Sequence, residues 1–139
     1  MSDDDLRTLY VAQRDKHLGQ LMAINTRAIF TVLVSVVSIL IGFDKVNSLK
    51  LPKCSAIWAA SLFLLGTVML LIAAVRMSSF HVIKIRMLEN KSWSIKAPAE
   101  DDFHIVPPSD WKSPFPFIFV GILCLILAVV IPLTHRLLE

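Results

Sequence analysis

Cys54-Ser-Ala-Ile-Trp-Ala-Ala-Ser-Leu-Phe-Leu-Leu-Gly-Thr-Val-Met-Leu-Leu-Ile-Ala-Ala-Val75 runs for 22 residues between Lys53 and Arg76 without a single charge. At about 1.5 Å per residue, a helix of that length crosses a hydrocarbon core of about 30 Å. Two more stretches read the same way. Ser113 to Thr134, also 22 residues, lies between Lys112 and His135, and Ala28 to Phe43, 16 residues, lies between Arg27 and Asp44. The shorter one is lengthened by Asn25, Thr26 and an Arg27 whose stem follows the lipid while its head stays wet. Trp58 and Trp111 stand near span ends, where amphipathic rings settle at the headgroups. The expected spans are 27–43, 55–75 and 114–134, in an all-α membrane protein with a left-handed three-helix bundle and an N-terminal amphipathic helix. The whole chain, 1–139, is expected to be one membrane domain.

Composition supports this. Of 139 residues, 55% are hydrophobic and only 18% charged, against roughly 25% charged in soluble domains. The net charge of +3 reports topology and contact with anionic lipid. Nucleic acid is not an expected partner, since no basic run carries interleaved aromatics. The opening Met1-Ser2-Asp3-Asp4-Asp5 is acidic where a secretory signal would be basic. Three spans place the N-terminal segment and the 76–112 loop on one side with ten Lys and Arg, against four on the other. The positive-inside rule then puts the N-terminus in the cytoplasm and the C-terminus outside. The expected location is a bacterial inner membrane.

Outside the lipid, residues 3–26 read as a helix capped by Ser2, with the acidic run at the positive end of its dipole. Leu6, Leu9, Tyr10, Leu18, Leu21 and Met22 form an apolar stripe that Gln13-Arg14-Asp15-Lys16-His17 interrupts. The second span is expected to continue as helix to about residue 91, because 76–91 contains neither Gly nor Pro. Residues 92–112 read as a linker. Pro98, Pro107 and Pro108 oppose helix there.

Within the lipid, small residues mark packing faces. Ala28, Thr31, Ser35, Ser38 and Gly42 form a seam along the first span. Gly66-Thr67 and its flanking alanine pairs do so in the second, and Gly121, Cys124, Ala128 and Pro132 in the third. The first seam serves either to pack the bundle or to line a narrow path in an oligomer. Apart from Arg27 at the edge of the first, no span contains a charged side chain, which argues against a transporter or proton relay.

Chemistry is sparse. His17, His81, His104 and His135 are not spaced as metal ligands. Cys54 and Cys124 lie at different depths, too far apart for a disulfide. The four glycines are isolated, so no phosphate-binding loop exists. No catalytic, metal or cofactor residue is assigned, and no enzyme activity is expected.

Asp15 and Lys16, followed by Gly19 to Ile24 and then Asn25, lead into the first span. This lead-in resembles that of small bacterial anti-phage membrane effectors of the Pycsar transmembrane type and the related SLATT group. The resemblance covers about the first 90 residues and rests on Asp15, Lys16 and Asn25. It implies an oligomeric effector that impairs the inner membrane when a signalling nucleotide or a sensor protein reports infection, with those three residues as ligand or partner contacts. The alternative is an accessory or scaffold subunit of a larger membrane complex. Either way the lipid bilayer is a partner, together with a homo-oligomer or a larger complex.

Overall fold

The computed structural model describes residues 2–49, 52–94 and 113–138. Three helices account for nearly all of them: α1 (Asp3–Leu49), α2 (Lys53–Ser94) and α3 (Phe115–Leu137). Each is long and apolar enough to cross a membrane, and no strand occurs among the described residues. The chain is an all-α integral membrane protein.

Helix α1 starts on a reciprocal cap. The Asp5 amide donates to the Ser2 hydroxyl at 3.2 Å, and the Ser2 amide donates to Asp5 Oδ2 at 3.0 Å. Two otherwise unsatisfied donors of the first turn are met this way. The Ser2 hydroxyl and then its amide hold the Asp5 carboxyl below its ordinary 3.8. From there α1 runs unbroken for 47 residues.

Two boundaries differ from the sequence expectation. Spans at 27–43 and 55–75 leave 44–53 as a connecting loop, yet α1 continues to Leu49 and α2 starts at Lys53. Nothing from Asp44 to Leu49 is Gly or Pro. Pro52 stands just before α2, and its carbonyl accepts the Ala56 amide. The linker was expected from residue 92, but Ser92, Trp93 and Ser94 close α2. The rest of that linker, with His104 and Trp111, lies outside the described residues.

The chain divides into two compact units, 1–26 with 74–114, and 27–73 with 115–139. In the first, α1 and α2 are antiparallel: Arg7 Nε donates to the Ser92 carbonyl at 3.4 Å, Arg14 meets Glu89 at 3.8 Å, and His17 meets His81 at 2.9 Å. The buried positions of α1 here are Tyr10, His17 and Ile24, seven residues apart, the spacing that returns a side chain to one face. This corrects the expected apolar stripe. Leu18 and Met22 face outward, turned about 100° from His17 and Leu21, and His17, from the polar group expected to interrupt the stripe, is buried on it.

The second unit packs through small residues. Ser35 and Thr67 are buried and share a hydrogen bond of 3.1 Å. Thr67 gives its proton to the Phe63 carbonyl at 2.9 Å, so Ser35 is the donor between the helices. Gly66 of α2 faces Gly121 of α3 with no room for a side chain on either. Gly121, Cys124 and Ala128 are the buried face of α3. Most of the remaining Leu, Ile, Val and Phe of this unit point outward, as lipid requires.

Candidate functional site

The most unusual polar arrangement lies inside the first unit. His17 and His81 are the most deeply buried polar residues there, 0% and 1% exposed. Helical periodicity puts His17 there, since it occupies the turn between Tyr10 and Ile24 on the inward face of α1. His81 holds the matching place on α2, seven residues before the fully buried Leu88.

The two rings meet nitrogen to nitrogen, Nδ1 to Nδ1 at 2.9 Å, with centroids 5.2 Å apart. One Nδ1 must therefore carry a hydrogen and the other a lone pair. Phe80 closes one side, with its ring 6.2 Å from His17 and 5.3 Å from His81, both edge-on. Lys84 Nζ lies 6.0 Å from the Phe80 centroid. On α1, Arg14 stands one turn before His17. It holds Asp15 at 2.9 Å and Glu89 at 3.8 Å, so both nearby carboxylates are directed to Arg14.

These surroundings disfavour charge on either ring. Burial pushes His17 below its ordinary 6.5, helped by repulsion from His81 and Lys84. Burial alone lowers His81. Two further atoms raise the strain. His17 Nε2 and Gln13 Oε1, one helical turn apart, are buried without a hydrogen-bond partner among the described residues. Each such group costs about 1–3 kcal/mol. The helix pair thus holds a poorly compensated polar core.

The pair offers two imidazoles and no third donor. Among the described residues no cluster of three or more His, Cys, Asp or Glu could hold a metal. The arrangement can share or take up protons.

The sequence-derived site residues are dispersed. Asp15 and Lys16 are exposed, and Asp15 is bound to Arg14. Asn25, about 15 Å along the helix, is exposed and accepts a 3.4 Å hydrogen bond from Ser78. The structure does not bring the three together. Of the first-span seam, Ser35 is buried, Ala28, Thr31 and Gly42 are half-buried, and Ser38 is exposed. Thr31 donates to its own helix, at the Arg27 carbonyl. A Cβ on Gly42 would meet nothing within 4 Å.

Sequence reasoning missed the histidine pair. Sixty-four residues separate the two rings in the chain, so no local spacing links them. The one available signal was the heptad from Tyr10 through His17 to Ile24. Comparison with family models, curated proteins and solved structures gives no match.

Proposed function

We propose that this chain is a non-enzymatic membrane effector that acts as a homo-oligomer and impairs the bilayer, in the manner of the bacterial defence proteins its Asp15–Asn25 segment resembles. One observation carries the reading. Gly66 and Gly121 are spent on contacts within the chain, with a notional Cβ 2.9 Å from its neighbour in each case, whereas Ser38 and Gly42 of α1 are not. Ser38 and Gly42 are four apart, a small-xxx-small pair on a span, and such pairs let membrane helices approach closely. A second copy of the chain fits that open face.

The test is expression in a bacterial host with a voltage-sensitive dye, comparing wild type with Ser38→Leu and Gly42→Leu at matched membrane levels. Because Ser38 is exposed and a Cβ on Gly42 meets nothing within 4 Å, the variants should keep their fold and lose oligomerisation. Depolarisation by wild type alone supports the effector. A wild-type protein that is monomeric in detergent and leaves the potential intact overturns it.

The accessory-subunit reading draws support from Trp93, 83% exposed, and Ile83, 65% exposed. Both lie outside the expected spans and suit docking by another protein. A stable homo-oligomer purified without any other protein would decide against it.

A further inference from the structure

We propose that His17 and His81 form a proton-operated latch between the first turns of α1 and the last turns of α2: the pair holds the helices together with no extra proton or with one, and releases them when both rings are charged. This concerns what regulates the chain, and does not depend on the oligomer reading.

The geometry sets the proton count. With both rings neutral, one Nδ1–H donates to the other Nδ1 across 2.9 Å. One added proton leaves an imidazolium donating to an imidazole, so the bond between the rings survives even though burial disfavours the charge. A second proton removes the last acceptor. Two donors and two positive charges then face each other at hydrogen-bond distance. Among the described residues, no carboxylate is paired with either ring. Along α1, Tyr10 and Arg14 stand about two turns and one turn before His17, and along α2, Lys84 and Glu89 stand about one and two turns after His81. The Lys84 charge adds to the repulsion at His17, while Glu89 is engaged by Arg14, as is Asp15.

Opening relieves the conflict at once. Separated rings regain water, and Gln13 Oε1 and His17 Nε2, buried without partners in the closed form, gain it too. At two pH units below the ordinary 6.5, an open state that accepts a proton the closed state refuses is favoured about a hundredfold. Burial and the Lys84 charge keep the latch closed near neutrality, so it answers to acidification.

The full chain in lipid nanodiscs, with Cys54→Ser and Cys124→Ala, would carry spin labels at Lys16→Cys and Ile83→Cys. Both sites are exposed, one on each helix. Distances would be followed from about pH 7.5 to about pH 4.5, across the imidazole range. The expected result is one narrow distance at the upper end and a longer, broader population growing below 6.5. Glu89→Gln should retain this response, and His17→Leu/His81→Leu should abolish it while keeping the narrow distance. A wild-type distance that never changes overturns the latch. So does a double variant that still responds, or a Glu89→Gln protein that does not. Should the double variant fail to fold, nitrogen-15 spectra of the wild-type imidazoles decide. Uptake of the second proton together with the distance change supports the latch, and rings that stay neutral through it refute it.

Discussion

A Cβ placed on Gly66 would stand 2.9 Å from the carbonyl oxygen of Gly121, and one placed on Gly121 would stand 2.9 Å from Leu70 and 3.1 Å from the Gly66 carbonyl. The two helices meet backbone to backbone at this point. In lipid, where apolar burial gives helices little reason to associate, such close approach supplies the dispersion energy that holds them.

Substitution there should be costly. Gly66→Ala or Gly121→Ala forces a backbone or a Leu side chain to move, and overpacking of this kind costs about 1–3 kcal/mol. Gly42→Ala meets open space and gains up to about 1 kcal/mol of helix propensity. Steric-trap or denaturant unfolding in bicelles should therefore rank Gly42→Ala at or above wild type and both other variants below it.

The Ser35–Thr67 bond should behave as a coupled pair. Thr67→Ser keeps the hydroxyl chain from Ser35 to the Phe63 carbonyl, whereas Ser35→Ala and Thr67→Val each break it. Interhelical hydrogen bonds in membranes contribute about 0.6–2 kcal/mol. A double-mutant cycle on unfolding free energies should return a coupling in that range, and a value near zero would show that packing alone holds the hairpin.

Acid should weaken the first unit. The folded state holds both imidazoles below 6.5, so the unfolded chain binds more protons once pH falls under that value. Stability is then flat above 6.5 and declines below it. One unit lower, the folded-to-unfolded ratio should drop about tenfold for each excluded proton. Amide exchange over residues 10–24, corrected for intrinsic rates, reads this directly, and His17→Leu/His81→Leu should flatten the profile.

The first turn of α1 should depend on its cap. Ser2→Ala or Asp5→Asn removes half of the reciprocal pair, and amides of residues 3–6 should exchange faster while those near His17 stay unchanged. Acidification through the ordinary carboxylate range should loosen the same turn, because the depressed Asp5 value means the ionised form is the one the cap holds.

Thiol chemistry should separate the two cysteines and test the orientation. Cys54 is exposed at the start of α2, and Cys124 is buried on the small face of α3. A maleimide should modify Cys54 and spare Cys124 until the fold is disrupted. With the N-terminus in the cytoplasm, an impermeant reagent added to intact cells reaches Cys54. Labelling only after permeabilisation would invert the topology.

The three helices were legible because the bilayer imposes its own length on sequence. Charge-free runs bounded by Lys53 and Arg76, or Lys112 and His135, admit one reading. Small residues at Gly66, Gly121, Cys124 and Ala128 likewise announced a packing face, since they serve little else in lipid. The helix limits near Leu49 and Ser94 were harder, because polarity alone does not end a helix without a Gly or Pro to break it.

Sequence by itself determined the class, the number of spans and the kinds of side chain set at their contacts, all properties of single segments in a known solvent. Tertiary structure alone decided which contacts are internal. It placed Ser35 against Thr67 and left Ser38 outside. It also set His17 against His81, turning two isolated histidines into one shared-proton pair. The reason is that antiparallel pairing of two long helices depends on register, and register is fixed by the sum of many weak contacts, Arg7 with Ser92 through Asn25 with Ser78, none of which is visible in either segment alone.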